Sequence, residues 1–348
     1  MPASTTTVAA WRKFFEDVGL RPDLIALYIP YITRLLDAGL PPIFEFRHLS
    51  SLLGRTPAYL ASVVNCPDAH YRTFSIPKRR GGHRRIDAPY PALLACQQWI
   101  GRFVLSRLAA HEAVHSFRRD RSILSNARQH LGAKQLLKLD LQDFFPSIGI
   151  RRVIAVFSRL GYLPNVSFYL ASICCLDGRL PQGAATSPGL SNIIPFRMDH
   201  RLFGLARSVG LHYTRYADDL TFSGEHVHPS LLRSISVIVQ EEGFRLNEDK
   251  TRLSRRPGNR IVTGISVSGS APRLPRSSKR RLRQNVHFVL KYGPSSHMSK
   301  RNIRDPLFLD SLYGKVLFWR WVEPDSTFAQ EALEKLRHLM TDTSPDGT

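Results

Sequence analysis

Acidic residues are scarce in this chain. Asp and Glu together number 28 against 49 Lys and Arg in 348 residues, a formal net charge of +21. Solubility alone does not account for such a surplus, and a polyanionic partner does. Cysteine is scarcer still. Cys66, Cys96, Cys174 and Cys175 show no paired zinc spacing, and adjacent Cys174 and Cys175 are poorly placed to bridge each other, so neither a disulfide framework nor a zinc knuckle is expected. They read as reduced, small apolar residues of a cytoplasmic protein. No run approaches the roughly 18 continuous apolar residues of a membrane span, which predicts a chain with no membrane partner. Met1–Thr7 lacks a basic region followed by an apolar core, so no secretory signal is expected. No internal repeat is visible.

What is present is clustered positive charge. Arg72, Lys78, Arg79, Arg80, Arg84 and Arg85 crowd one segment, Arg118, Arg119 and Arg121 a second, and Arg276, Lys279, Arg280, Arg281 and Arg283 a third. One such run is ordinarily a wet helix face, but three on a chain this basic point to nucleic acid.

Two of the few acids stand side by side in Tyr216-Ala217-Asp218-Asp219. The flanks His212-Tyr213-Thr214 and Leu220-Thr221-Phe222 are β-branched and aromatic, which predicts two short strands around a tight turn. Adjacent carboxylates repel, so a fold keeps them where water or a cation compensates. A third acid lies upstream. In Gln135–Leu141, Leu137, Leu139 and Leu141 alternate with Lys138 and Asp140, which puts Asp140 on the polar face of a buried strand. If that strand lies beside the hairpin, three carboxylates make a hard-oxygen site suited to Mg²⁺. Such clusters serve in-line nucleotidyl transfer.

The first sixty or so residues have helical periodicity. From Tyr71 the period becomes strand-like, with Gly81-Gly82 predicting a hairpin whose tip carries positive charge. A long helix is expected from Ala92 to about His115, others from about Arg151 to Leu160 and Ser167 to Leu176, and one running to about Val209. Basic helices follow a short strand at Ile261–Val267, and the tail from Thr341 is expected to be disordered. His111-Glu112-Ala113-Val114-His115 matches the zinc-peptidase pattern, which requires both histidines on one helix. No third ligand is evident downstream, and a helix end facing RNA is the preferred reading.

Taken in order, several segments resemble the reverse transcriptases of bacterial retrons: Leu139-Asp140 through Phe144-Phe145-Pro146-Ser147-Ile148, then Leu180-Pro181-Gln182-Gly183, Tyr213–Asp219 and Gly243–Lys250. Asn126-Ala127-Arg128-Gln129-His130 and Val262-Thr263-Gly264 resemble pieces particular to retron enzymes, and argue against group II intron or other defence-type reverse transcriptases. The resemblance implies an α+β right-hand polymerase. Its parts would be an N-terminal helical extension at 1–65, fingers and palm at 66–254, a mostly helical RNA-binding thumb at 255–340 and a tail at 341–348.

It implies further that Asp140, Asp218 and Asp219 hold two Mg²⁺ ions, with Mn²⁺ as a substitute. Lys78 and Arg84 would clamp the triphosphate, with Arg85 the alternative to Arg84. Phe145 would sit under the sugar and exclude a 2′-OH, Gln182 would line the nucleotide pocket, and Lys250 would protonate the leaving pyrophosphate. Asp143 is expected to cap rather than ligate. Arg118, Arg119, Asn126, His130, Arg276, Lys279, Arg280, Arg281 and Arg283 are candidates for RNA contact. Ala185 stands where the family more often has proline, which implies a looser turn. The partners implied are dNTPs, a cognate structured noncoding RNA and its DNA product, a separately encoded effector and a host ribonuclease H, in a phage-defence setting. A non-catalytic RNA-binding scaffold is the contrasting expectation, and the intact acid triad argues against it.

Overall fold

The computed structural model describes residues 7–78, 81–255 and 260–342. Arg79 and Arg80 of the first basic cluster, and the predicted disordered tail beyond residue 342, lie outside the described residues.

Helices α1 (Val8–Asp17), α2 (Pro22–Asp37), α3 (Phe46–Leu52) and α4 (Pro57–Asn65) follow the apolar periodicity of the first sixty residues. Thr7 and Thr56 open α1 and α4, their hydroxyl oxygens accepting the Ala10 and Tyr59 amides. Trp11, Phe15, Ile25, Ile29 and Ile32 form a small core of their own. Strands β1 (Tyr71–Pro77) and β2 (His83–Pro89) then pair antiparallel, with Gly81 and Gly82 at positive φ in the tip.

Helix α5 (Pro91–Phe103) is shorter than expected. After a single 3₁₀ turn at Leu105–Arg107, residues 108–121 are not helical. Val114 is drawn into a parallel bridge with Arg215, whose amide donates to the Ala113 carbonyl at 2.8 Å. Pairing with a sheet edge overrides the local helical period.

Helix α6 (Ile123–Arg128) starts at a capping box formed by Ser122 and Ser125. The central sheet is built from β3 (Gln135–Asp140), β4 (His212–Tyr216), β5 (Asp219–Gly224) and β6 (Arg252–Ser254), in the order β4-β5-β3-β6 and antiparallel throughout. Helices α7 (Ile150–Arg159), α8 (Pro164–Cys174), α9 (Ser187–Ile193) and α10 (Phe196–Ser208) lie between β3 and β4, and α11 (Leu231–Glu241) between β5 and β6. The single helix predicted to reach Val209 is split into α9 and α10 around Pro195, which has no amide to continue the ladder. The short pair β7 (Ile261–Val262) and β8 (Ile265–Ser266) leads into α12 (Arg276–Tyr292), α13 (Pro294–Arg301), α14 (Phe308–Val322) and α15 (Thr327–Asp342). Thr341, expected in the tail, is therefore helical. Among the described residues no helix is long and apolar enough to cross a membrane.

Leu137, Leu139 and Leu141 enter the main core with Leu220 and Phe222, as the alternation along β3 predicts. Leu136, on the opposite face, joins a second core with Leu124, Ala127, Val262, Ile265, Leu282 and Trp319. Both faces of β3 are thus covered where it leads to Asp140. Cys96, Cys174 and Cys175 are buried in the main core, whereas Cys66 is exposed.

His130, just past α6, pins that helix to the sheet. Its Nδ1 and Nε2 lie 2.7 Å from the hydroxyls of Ser223 and Thr214. Burial pushes its pKa down to about 3 and so keeps the ring neutral. A depressed value stabilises the fold above the ordinary histidine range, and that stability is lost as pH falls toward the folded value. His48 and His115, each held at about 4 mainly by burial, add to the same trend. Urea midpoints are therefore expected to drop between pH 7 and pH 5, and His130→Gln to flatten that slope by up to about 1.4 kcal/mol per pH unit. Identical slopes for the two proteins would rule this account out.

Candidate active site

The antiparallel register of β3 and β5 sets Asp140 opposite Asp219. Opposed Cβ atoms in such a pair are about 5 Å apart. Asp218 precedes Asp219 in the two-residue turn, and its carbonyl accepts the Leu141 amide at 2.9 Å. Asp140 and the adjacent pair Asp218 and Asp219, almost eighty residues further on, therefore meet at one end of the sheet. Burial raises the Asp218 carboxyl above its usual range, and the charges of Asp140 and Asp219 raise it further. Burial also raises Asp219; Lys138 and Lys250 pull it down and Asp140 pushes it up.

Lys250 reaches in from a 3₁₀ turn at Glu248–Lys250, its Nζ donating to both oxygens of Asp140 at 2.8 Å. Among the described residues no trio of His, Cys, Asp or Glu is already disposed as a metal cage. The acids converge, but the first of them is turned onto an ammonium. The donor set nevertheless fits a hard divalent cation: all ligands are carboxylate oxygens, two of them raised by burial, and a positive group already sits on the third.

The basic hairpin β1–β2 meets the Gln182-Gly183 turn through backbone contact. The Asp87 amide donates to the Gln182 carbonyl at 2.9 Å. At Gly183, with φ at 137°, an added Cβ would lie 2.6 Å from the Asp87 carbonyl oxygen, so only glycine permits the approach. The following turn is tied rather than loose, correcting the expectation for Ala185. Its amide, which proline would lack, donates at 3.1 Å to Gln97, a fully buried side chain that also donates to Tyr71 Oη and the Ile173 carbonyl. Arg85 donates to Asp87 at 2.8 Å, which holds its guanidinium more firmly protonated. Lys78 and Arg84 are exposed on the same hairpin. Phe145 is half-buried, with its ring 5.5 Å from that of Phe144 and 6.5 Å from that of Phe117. Asp143 is exposed at φ 45°, and its carbonyl takes the Ser147 amide at 2.8 Å, so its backbone closes the turn.

Comparison with known proteins bears on this arrangement. The pattern of the family described as "Reverse transcriptase (RNA-dependent DNA polymerase)" matches residues 76–284. The retron Ec86 reverse transcriptase of Escherichia coli is 35% identical over 270 residues, covering 76% of this chain and 84% of that protein. This chain belongs to the retron reverse transcriptase family.

The retron Mx162 and Mx65 reverse transcriptases of Myxococcus xanthus are 37% and 42% identical, over 73% and 63% of this chain. The matches span 58% and 56% of those two proteins, a little over half of their length. The fold is that family's α+β right-hand polymerase, with an antiparallel palm sheet and a mostly helical thumb. The family works with divalent cations.

Burial separates the remaining candidates. Asn126 and His130 are 1% and 0% exposed, so neither meets RNA directly. Their helix packs: α6 carries Leu124 and Ala127 into the thumb core while His130, just past it, holds the palm sheet. The second retron-like piece reaches the same helix. Thr263, at φ 46°, donates its hydroxyl to the Ile123 carbonyl at 2.9 Å. Lys279 is half-buried against Glu323 at 2.6 Å, and Arg283 lies over the rings of Trp319 and Phe328. Arg118 is half-buried and donates to Asp120 and to the His111 carbonyl. Arg119, Arg276, Arg280, Arg281 and Arg283 remain exposed.

The zinc-peptidase motif has lost its required context. It is not helical; His111 Nδ1 accepts the Ala113 amide, and His115 Nδ1 lies 2.9 Å from the Ser125 hydroxyl. Sequence reasoning missed Asp199, Ser116 and Asn192, buried polar residues beneath the Asp218 turn. Asp199 lies in an amphipathic helix and carries no local signal, and Ser116 stands just past a segment expected to be helical.

Proposed function

We propose that this chain is an RNA-directed DNA polymerase of a retron, and that Asp140, Asp218 and Asp219 carry the reaction. The single observation supporting the reading most strongly is the β3–β5 register, which sets Asp140 against Asp219 with Asp218 beside it. In this reading the three carboxylates hold two Mg²⁺ ions, for which Mn²⁺ substitutes. Divalent cations bound there would lower the pKa of the attacking hydroxyl and neutralise the departing pyrophosphate.

The protein's own side chains orient and exclude. Lys78 and Arg84 meet the triphosphate, Arg as a planar fork and Lys as a mobile point charge. Gln182 lines the pocket whose turn is fixed by Gly183. Lys250, once released from Asp140, is placed to deliver a proton to the leaving group. Phe145 lies under the sugar. Phe145→Ala is expected to raise ribonucleotide incorporation about tenfold or more relative to deoxynucleotides, measured by single-nucleotide extension; unchanged discrimination would remove this role.

The template is a cognate structured noncoding RNA, bound through exposed thumb and fingers arginines such as Arg119, Arg276, Arg280 and Arg281, since structured RNA is read largely by shape and backbone. Synthesis starts at a guanosine 2′-OH and leaves a branched RNA–DNA hybrid. A host ribonuclease H trims the template, and a separately encoded effector acts with the product in cytoplasmic phage defence. The fingers and palm occupy 66–254 and the thumb 255–340. The test is to extract the nucleic acid that co-purifies with the protein from its native cells and treat it with ribonuclease. A discrete short DNA still bearing an RNA nub is expected. Purified protein that neither carries such DNA nor extends a primer on RNA would end the proposal.

A further inference from the structure

Ala217 is the most strained link in the acid cluster. It has φ 56° in a two-residue hairpin turn, a position that ordinarily takes glycine. It is held on both sides by groups buried out of water. The Ala217 amide donates to Ser116 Oγ at 2.9 Å, and Arg215 Nη1 donates to the Ala217 carbonyl at 3.2 Å. Each holder is itself fixed. Ser116 Oγ donates to Asn192 Oδ1 at 3.1 Å while Asn192 Nδ2 donates to the Ser116 carbonyl at 2.7 Å. Arg215 places Nε and Nη2 on the two oxygens of Asp199, at 2.8 and 2.7 Å. Ser116, Arg215 and Asp199 are each 0% exposed, and Asn192 is 3% exposed.

We propose that Ser116 and Arg215 are positioning residues that hold Ala217 in its positive-φ conformation and thereby aim the Asp218 carboxylate. This rests on the reading of Asp218 as one of the catalytic acids. An alanine at positive φ costs about 1–2 kcal/mol, which would otherwise let the turn relax. Relaxation would rotate the Ala217–Asp218 peptide and swing the next side chain away from Asp140. Holding by a neutral hydroxyl on one side and an ion pair on the other stiffens the turn without adding net charge below a crowded group of acids. The arrangement also explains why residues 108–121 leave the helical path: Ser116 is carried to the turn by the strand-like segment that bridges Arg215 at Val114.

Ser116→Ala is the mild test, because it deletes one oxygen and leaves the ion pair intact. The kcat for dNTP incorporation is expected to fall about 10- to 100-fold with KM changed less than about 2-fold, the scale on which a misplaced catalytic group is felt. Mn²⁺ binding to the nucleic-acid-free protein, followed by electron paramagnetic resonance, should weaken severalfold while the melting temperature in chelator moves by only a few degrees. Ala217→Gly in the Ser116→Ala background should recover part of both losses, since glycine takes positive φ without strain. Wild-type kcat and Mn²⁺ affinity in Ser116→Ala, or no recovery on adding Ala217→Gly, overturns the proposal. Asp218→Asn run alongside separates the two ideas. If it is inactive while Ser116→Ala is normal, only the positioning role falls; if it is fully active, the catalytic reading of Asp218 falls with it.

Discussion

Asp219→Asn is expected to cut primer extension on an RNA template by about 1000-fold or more, equivalent to about 4 kcal/mol of barrier, with the fold intact. The substitution preserves shape and removes one charge. Asp219 faces Asp140 across the sheet and burial raises its carboxyl, so its surroundings disfavour the ionised form. A folded-state value above the unfolded one stabilises the protein fully only below the ordinary aspartate range, and that contribution is lost as pH rises through the raised value. At neutral pH without divalent cations the ionised group therefore costs stability, and Asp219→Asn should melt at the same temperature as the wild type or higher in chelator. Lost activity with unchanged or raised melting temperature is the signature of a site kept at the expense of stability. Wild-type incorporation by Asp219→Asn would overturn the assignment of the acids.

Asp199→Ala is expected to destabilise the protein by about 3–5 kcal/mol, because it strands a buried guanidinium. Asp199 and Arg215 are both 0% exposed and joined by two hydrogen bonds, and Asp199 also accepts from Tyr213 Oη at 2.9 Å. In a chain of this size the loss corresponds to a fall in melting temperature of roughly 4–7 °C. Removing both charges together, as Asp199→Leu with Arg215→Met, should cost less than the single change, since no unpaired ion remains. The cycle is read by thermal melting in chelator. A single variant that melts within about 1 °C of the wild type would show that the pair is not the buried anchor described here. The double variant should still be poorly active, because Arg215 also donates to the Ala217 carbonyl.

The acid cluster was legible because its signals are local. Alternation along Gln135–Asp140 assigns the face of each side chain, and the β-branched flanks of Ala217-Asp218 announce a hairpin. The positive hairpin tip was legible for the same reason, through Gly81-Gly82. The choice between Arg84 and Arg85 was left open, although Asp87, which ties down the Arg85 guanidinium, stands only two residues further along β2. Local signal also misled. Ala92 to His115 has a helical period, yet the chain leaves it after Phe103 for bridges to Arg215, a partner about a hundred residues away. Asn126 and His130 read as polar residues free to contact RNA, but both are buried, and His130 finds its partners in β4 and β5.

The chemistry, then, was determined by the sequence alone: an acid pair at a hairpin tip, a third acid on a polar strand face, and an excess of positive charge suited to a nucleic acid. Those properties belong to residue type and to periods of a few residues. The tertiary structure alone decided that Lys279 is tied to Glu323 and that Ala217 is held by Ser116, because each of these depends on a partner far away in the chain.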